Sequence, residues 1–343
     1  ATDGYSNHTS AIQTITVMDT TPPVLVDMPS NAFLRCGDPI PEPGAIGVTD
    51  CDTNVDLSYE AVTNGTCPAV ITRTWTARDS RGNETNAVQL ISIYGPVRNL
   101  KNSGASFDTL QETINAAQEG DVIGIRQDVY LLTEPVVLKA GVKLQGGYDE
   151  NWEMTGGPES TVLDGGGLVR CMNAVDLAES CEVANLTMQH GEADRGGAVL
   201  ISNSSVRLRD CVIAQNHATQ GGAFYCSKRA NIDLVNCLVV QNSANQDAGV
   251  SAPLCFGRLR FQNCTFMANA DVEGRSATLH VGEWLGSPAR FTDSILWNSG
   301  AAHELNSYPC TVMEISHCVV QGGAPPGIGN LSADPAFANE VEG

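Results

Sequence analysis

Six short segments between residues 185 and 320 repeat one alternation of polar and apolar positions. Each segment consists of a polar residue, a small or apolar residue, any residue and an apolar residue. The segments start at Asn185, Asp210, Asn236, Asn263, Asp293 and His317. A period in the twenties, with strand-like alternation inside each unit, is typical of a solenoid whose stacked units share one core. The pattern therefore predicts stacked short strands.

One column of small residues recurs at the second position of these segments. It contains Leu186, Cys211, Cys237, Cys264, Ser294 and Cys318. Small side chains that stack on one another fit a narrow interior, and a buried thiol behaves as a small hydrophobe. A metal or redox site would need accessible thiolates instead. We interpret the column as a packing ladder.

A second, polar column follows a few residues later in each unit. It contains His190, Asn216, Asn242, Asn269 and Asn298. Asn side chains bond to their own backbone and tolerate left-handed geometry. Stacked amides also satisfy one another's hydrogen bonds. The column therefore predicts a structural ladder without a ligand.

The segment 108–118 has the apolar spacing of a short helix. Leu110, Ile114 and Ala117 share one helical face, and Gly120 is placed to stop the helix. Short strands are predicted after it, at 121–125, 135–138 and 142–147. A helix followed by such strands resembles the amino-terminal cap of right-handed parallel β-helices, which covers the first coil.

The segment 1–18 repeats the pattern of the later segment 77–94 at a constant offset. The matched residues are Ala1, Asp3, Asn7, Ala11, Gln13, Ile15 and Val17 in the first copy and Ala77, Asp79, Asn83, Ala87, Gln89, Ile91 and Ile93 in the second. The second copy follows an alternating segment with Ile71, Arg73 and Trp75, which predicts a small β-sandwich. Residues 1–18 therefore supply the last strands of a partial preceding repeat.

These amino-terminal motifs resemble the immunoglobulin-like, hyalin-repeat-like domains of bacterial surface proteins. The resemblance covers about residues 1–95 and rests on Val17-Met-Asp-Thr-Thr-Pro-Pro-Val24, Cys36-Gly-Asp-Pro39, Val48-Thr-Asp-Cys-Asp52 and Ile71-Thr-Arg-Thr-Trp-Thr-Ala77. It implies spacer, stalk or adhesion roles at a cell surface rather than catalysis. Such repeats usually carry a further Cys where this chain has Arg81. The resemblance thus implies a disulfide between Cys51 and Cys67 and an unpaired Cys36.

The carboxyl-terminal repeats resemble the passengers of polymorphic outer-membrane autotransporters. Gly196-Gly-Ala-Val199, Gly221-Gly-Ala-Phe224 and Phe266-Met-Ala-Asn269 carry this resemblance, which covers about residues 97–340. We therefore expect an all-β chain in which an immunoglobulin-like β-sandwich (19–96) follows the partial repeat (1–18). A right-handed parallel β-helix (97–343) with a capping helix at about 108–118 completes the expected organisation.

Composition narrows the function classes. The 343 residues carry a net charge of −20, which argues against nucleic acid because few bases are available to neutralise phosphates. An apolar run of about 18 residues is lacking, so we expect no helical membrane span. Twelve cysteines favour an oxidising, extracellular compartment. The pairing of five of them stays open: Cys171, Cys181, Cys226, Cys255 and Cys310. The amino terminus lacks signal-peptide features, which suggests a mature product or a fragment.

Acidic residues cluster in the turns before the Gly-Gly-like positions. The acids are Glu192, Asp194, Asp247, Asp271 and Glu273, and two arginines, Arg195 and Arg275, lie among them. Lyases and hydrolases built on β-helices use carboxylates, often with Ca²⁺, beside a base. Here Ala218-Thr-Gln220 interrupts the column, and acids in so acidic a chain are typical of a solvated face. We predict no catalytic site and no cofactor, apart from five weak calcium candidates: Asp19, Asp79, Asp194, Asp247 and Glu273.

The two ends of the predicted architecture suggest assembly. Gln13, Ile15 and Val17 belong to a strand without a sheet, and the last coil leaves an open edge near Cys318. A spare strand and an open edge form a head-to-tail pair. We therefore expect an extracellular, non-enzymatic structural or adhesive protein whose partners are copies of itself. Three alternatives remain: a chain cut in mid-repeat, a carbohydrate-active or carbohydrate-binding β-helix of the polysaccharide-lyase kind, and a monomeric adhesin that binds surface glycans or other cells.

Overall fold

The chain forms two compact units, Ala1–Tyr94 and Gly95–Gly343. The structure is a computed structural model, and it describes residues 4–5, 8, 10–35, 38–65, 69–101, 106–107, 109–273, 276–282, 289–298, 303–307, 312–323 and 325–336. Both units are built almost entirely from strands. The predicted all-β class is confirmed.

The first unit contains a four-stranded and a two-stranded sheet. The four-stranded sheet has, in spatial order, the strands Ala32–Arg35, Glu84–Tyr94, Ala69–Arg78 and Asp56–Gly65. Its first two strands are parallel and the other pairs are antiparallel. The second sheet pairs Val24–Val26 with Gly47–Thr49 in antiparallel fashion.

Strict alternation in Ala69–Arg78 explains the core of this unit. Every second residue of that strand is buried, including Ile71 and Trp75, and the residues between them are more exposed. Ile91 and Ile93 of the neighbouring strand complete the apolar cluster. Arg73 lies on the same buried face because its guanidinium donates to the Pro41 carbonyl at 2.6 Å.

The second unit is a right-handed parallel β-helix of about seven turns, as the repeats and their resemblance predicted. Four sheets run along it, and we name them A to D in the order in which each coil visits them. The parallel strands of sheet A are Val122–Arg126, Lys143–Tyr148, Cys181–Ala184, Ser205–Arg209, Asn231–Val235, Leu259–Gln262, Ala289–Thr292 and Met313–Ser316. Two antiparallel strands, Val97–Asn99 and Ser106–Phe107, extend its first edge.

The other three sheets complete each coil. Sheet B contains Asp128–Leu131, Thr161–Asp164, Thr187–Gln189, Val212–Ala214, Leu238–Val240, Thr265–Met267, Ile295–Trp297 and Val319–Val320. Sheet C contains Glu192–Arg195, His217–Gln220, Ser243–Gln246 and Ala270–Asp271. Sheet D contains Val136–Val137, Met172–Val175, Val199–Ser202, Phe224–Lys228, Val250–Cys255, Leu279–Val281 and Leu305–Ser307. Pairing within these three sheets is parallel throughout the described residues, as in the pair Val199–Ser202 and Phe224–Lys228.

A short helix, Leu110–Ala116, lies at the first coil. It is shorter than the predicted segment 108–118, because Ala117 already has extended backbone. Thr109 caps it by accepting a hydrogen bond from the Glu112 amide at 3.2 Å, and Leu110 and Ile114 are buried in the β-helix core. A single turn of 3₁₀ helix, Pro158–Ser160, is the other helical element of the described chain. Among the residues that the structure describes, no helix is long and apolar enough to cross a membrane.

The polar residue that starts each repeat lies at the corner between sheets A and B. All six starting residues have φ between 51° and 55°, which favours Asn and Asp over other side chains. The positions are Asn185, Asp210, Asn236, Asn263, Asp293 and His317. Left-handed geometry, which the sequence interpretation attributed to the Asn column, therefore belongs to these residues. The Asn column itself follows a second set of left-handed residues: Gln215, Gln241 and Ala268.

The carboxyl-terminal end of sheet B is partly covered, contrary to the expectation of an open edge near Cys318. Leu331 forms a parallel bridge with Val319. The Val320 amide donates to the Leu331 carbonyl at 2.9 Å, and the Cys318 amide donates to Asn330 Oδ1 at 3.1 Å. The last strands of sheets A and D, Met313–Ser316 and Leu305–Ser307, have no further strand beside them in the described part of the chain.

Candidate functional site

The corner between sheets C and D is built from residues with left-handed backbone. In successive coils the corner residue is Gly196, Gly221 and Asp247, with φ of 65°, 67° and 63°. The second glycine of each Gly-Gly pair allows close stacking, because a Cβ on Gly197 would lie 2.4 Å from the His217 carbonyl oxygen. Asp247 takes this conformation without being glycine, which Asp does at low cost.

A groove of about 670 Å³ runs along the outside of this corner. One wall is formed by the corner residues Asp194, Arg195, Thr219 and Gln220. The floor is the outer face of sheet D, where Tyr225 lies beside Leu200 in register. The volume falls in the range of sites that hold a small organic ligand.

Arg170 lines the groove and is fixed by hydrogen bonds. Its Nε donates to the carbonyl oxygens of Arg195 at 3.1 Å and Gly196 at 2.8 Å, and Nη2 donates to the Arg195 carbonyl at 2.7 Å. Nη1 donates to Asn173 Oδ1 at 2.7 Å. One N–H on each terminal nitrogen is left over. Burial lowers the pKa of Arg170, and the charge of Asp194 opposes that shift.

Arg195 is exposed, and its guanidinium carbon lies 5.2 Å from the centre of the Tyr225 ring. This cation–π contact orients the guanidinium over the floor of the groove. No hydrogen bond or ion pair links the Arg195 side chain to any other residue in the described ranges. Its five donors are therefore available to a ligand.

A buried polar cluster continues the same row of sheet D. Ser251 and His280 follow Tyr225 in register, and both are buried. Ser251 Oγ donates to Asp247 Oδ2 at 2.8 Å, and Ser276 Oγ donates to Asp247 Oδ1 at 3.3 Å. His280 Nδ1 is 3.8 Å from Asp247 Oδ1, beyond hydrogen-bonding distance, and lacks a described hydrogen-bond partner.

The electrostatics of this cluster follow from burial. Burial raises the pKa of Asp247 above its ordinary value, although His280 and the hydroxyls of Ser251 and Ser276 favour the charged form. Asp271, half-buried beside it, accepts the Asp247 amide at 3.0 Å. The sequence interpretation selected Asp247 and Asp271 as turn acids. It missed Tyr225, Ser251 and His280, because their common row depends on strand register, and Arg170, because it contacts the corner from the preceding coil.

The structure stacks the four predicted Asn residues. Asn216, Asn242, Asn269 and Asn298 are buried, and each Asn Oδ1 from Asn242 onward accepts both the amide and the Nδ2 of the preceding one at 2.7–3.1 Å. His190 is not part of this ladder. Gly191 occupies the equivalent place, since its amide donates to Asn216 Oδ1 at 2.8 Å.

Glu304 ends the Asn ladder, a role that no repeat pattern predicted. Its Oε1 accepts the Asn298 amide at 2.8 Å, and Oε2 accepts Asn298 Nδ2 at 2.7 Å and Thr278 Oγ1 at 2.6 Å. The carboxyl group is buried, and burial raises its pKa despite these hydrogen bonds. Within the ladder each Asn donates its amide and one Nδ2 hydrogen to the next side chain in the direction of Glu304, which accepts the last of these bonds.

The structure also stacks the predicted cysteines. Cys211, Cys237, Cys264 and Cys318 are buried free thiols, and each Sγ lies 3.2–3.3 Å from the carbonyl oxygen two residues earlier. Burial raises the pKa of Cys211 and Cys318 and disfavours reactive thiolates. Elsewhere in the core, burial raises the pKa of Cys171 to about 12.

The five calcium candidates lie in separate places. Asp79 accepts the amides of Arg81 and Asn83, both at 2.8 Å, and so shapes a turn. Asp194 lies in the groove, Asp247 in the buried cluster, and Glu273 accepts from Gln246 at 2.8 Å. Asp19 is the one candidate that belongs to a group of ligand atoms among the residues described: those of Asp19, Asp50 and Cys51 lie within 4.8 Å of one another. Because calcium prefers oxygen ligands, this trio offers only two suitable side chains.

The predicted disulfide stays a prediction. Cys51 is exposed with a free thiol whose Sγ lies 2.9 Å from Asp19 Oδ2. Hydrogen bonding to Asp19 raises the pKa of Cys51 to about 11. Cys67 and Cys36 lie outside the described residues.

The predicted assembly strand is exposed. Ile15 and Val17 are 74% and 84% exposed, Gln13 is also exposed, and no strand is assigned between residues 10 and 18. Their counterparts in the second copy, Ile91 and Ile93, are only 0% and 9% exposed.

Comparison of the chain with protein-family models, with curated proteins and with solved structures finds no match.

Proposed function

We propose that this is a non-enzymatic extracellular protein with a structural or adhesive role, and that its copies associate head to tail through residues 10–18. The observation that supports this most is the exposure of Ile15 and Val17, whose counterparts Ile91 and Ile93 are buried. Burial of one such side chain stabilises a structure by about 1.5–3 kcal/mol. In the proposed assembly this segment becomes a strand, and its amides and carbonyls pair with a sheet edge.

The acceptor in this proposal is the edge of sheet D at the carboxyl-terminal end of another copy. Leu305–Ser307 is the last strand of that sheet among the residues described. Beside it, a cavity of about 340 Å³ is lined by Glu304, Leu305 and Val320. A strand from the first unit that adds to an edge of the second unit makes a heterologous contact, which propagates as a filament unless it closes.

One further observation supports the extracellular part of the proposal. The amino-terminal motifs resemble bacterial surface repeats. The turn acids Asp194, Asp247 and Glu273 lie in different coils of the β-helix. Calcium at Asp19 and Asp50 belongs to the same proposal, as an aid to rigidity of the first unit.

The test compares two double variants of the exposed segment. Ile15→Lys with Val17→Lys places charge on the face that is buried in the second copy, and Thr14→Lys with Thr16→Lys places the same charge on the other face. Electron microscopy and light scattering should show filaments of the wild type and of the threonine variant, and monomers of the other. Filaments in both variants would reject the donated strand, and a monomeric wild type would reject assembly.

A further inference from the structure

We propose that the groove at the corner of sheets C and D binds an acidic oligosaccharide, with a uronate carboxylate held between Arg195 and Arg170. This site is independent of assembly, because it lies on coils in the middle of the β-helix. It also needs no catalytic group.

The charge of the groove differs from that of the chain. The protein carries a net charge of −20, yet two guanidinium groups and one carboxylate, Asp194, line this groove. The local excess is therefore positive. Guanidinium groups bind carboxylates through two parallel hydrogen bonds, which a lysine ammonium cannot reproduce.

Both guanidinium groups are oriented before a ligand arrives. Arg170 is fixed by its hydrogen bonds to the carbonyls of Arg195 and Gly196 and to Asn173. Arg195 is held over Tyr225 and has its hydrogen-bond donors available. Little side-chain entropy is then lost on binding, which favours affinity.

The rest of the groove suits a chain of hydroxyl groups. Thr219 and Gln220 line it beside Arg195, and both combine donors with acceptors. Arg195 and Gln220 are paired in register on neighbouring strands, which lie about 4.8 Å apart. Gln220 donates to Gln246 at 2.9 Å, and Gln246 donates to Glu273 at 2.8 Å.

This row of side chains continues from the groove along sheet C. Arg195 and Gln220 line the groove, and Gln246 and Glu273 follow in the next two coils, outside its lining. A linear saccharide in the groove places one carboxylate at the arginines and its hydroxyls at Thr219 and Gln220. Nucleic acid fits poorly, because two arginines neutralise few phosphates.

Titration calorimetry of the monomeric Ile15→Lys, Val17→Lys background tests the site apart from assembly. The probes are an oligogalacturonate and the same oligosaccharide after reduction of its carboxyl groups. We expect binding of the acid form and about tenfold weaker binding of the reduced form, the loss of one charge-assisted hydrogen-bonded pair. If that background still assembles, the same titration is made with dilute wild-type protein.

Substitutions at the neighbouring positions 194 and 195 should change the affinity for the acid form in opposite directions. Arg195→Gln should weaken binding of the acid form about tenfold. Arg195→Lys should keep only part of the affinity, because an ammonium group lacks the paired donors of the guanidinium. Asp194→Asn should strengthen binding by up to about fivefold, the scale of one exposed charge interaction. Arg258→Gln, an equal charge change at an exposed arginine outside the groove lining, should change nothing.

Three results would overturn the proposal. They are equal affinity for the acid and the reduced oligosaccharide, no measurable binding of either, and equal losses in Arg195→Gln and Arg258→Gln. None of them bears on filament formation, so failure here is distinct from failure of the proposed assembly.

Discussion

Two copies of one sequence pattern have opposite environments in the first unit. Gln89, Ile91 and Ile93 lie in a strand between two others and are buried, whereas Ile15 and Val17 of the first copy are exposed. The residue types and their alternation are alike in the two copies. Alternation therefore specifies which face of a strand is to be buried, and the available neighbouring strands decide whether burial occurs.

The largest expected effect is a loss of stability when the buried copy of the pattern is changed. Ile91→Ala should lower the free energy of unfolding by about 2–5 kcal/mol, because it leaves a cavity in a closed core. Ile15→Ala should change it by less than about 0.5 kcal/mol, since that side chain lies in solvent. Denaturant titration of dilute protein measures both, followed by tryptophan fluorescence in a background where Trp152, Trp284 and Trp297 are replaced by Phe so that only Trp75 reports. Equal effects would contradict the exposure of the first copy.

A second prediction extends the comparison to two amide ladders of the β-helix. Asn242 is buried and bonds to Asn216 and Asn269, whereas Gln246 is half-buried and bonds to Gln220 and Glu273. Asn242→Ala should destabilise the β-helix by about 2–4 kcal/mol, because buried donors and acceptors lose their partners. Gln246→Ala should cost about 0.5 kcal/mol, since water replaces the lost bonds. Thermal unfolding of the two variants provides the measurement.

The smallest expected effect concerns a buried and an exposed carboxyl group. Burial raises the pKa of Glu304, so its contribution to stability is greatest below its ordinary pKa and is lost as the pH rises through the raised value. Glu304→Gln should therefore flatten the pH dependence of stability in that window. Glu314→Gln, at the exposed partner of Arg290, serves as the control for the loss of one carboxyl group. An equal pH dependence of the free energy of unfolding in the wild type and in Glu304→Gln would refute the raised pKa of Glu304.

Much of the fold follows from local pattern. The polar residue at the start of each repeat marks a left-handed corner, because Asn and Asp adopt that geometry at low cost. The shared face of Leu110 and Ile114 indicates the helix at the first coil. The Gly-Gly pairs mark the corner of sheets C and D, where a side chain would meet the next coil. Each feature depends on neighbours close in the chain or on the simple repeat.

The candidate site was less accessible to sequence reasoning. Tyr225, Ser251 and His280 form one row only because their strands are in register, and the register shifts after Tyr225. The length of the repeat varies from coil to coil, so the repeat alone leaves this register open. Glu304 was missed for a related reason: it continues the Asn ladder from a different place in its coil, six residues after Asn298. Arg170 was missed because it contacts the corner from the preceding coil.

Amide hydrogen exchange of residues 10–18 tests the central claim most directly. The account predicts fast exchange of these amides in dilute, monomeric protein and strong protection at concentrations where filaments form. The amides of Ile91, Ser92 and Ile93 should be protected in both states, since these residues are already paired on both sides. Filaments in which residues 10–18 still exchange fast would contradict the account, as would protection of these residues in the monomer.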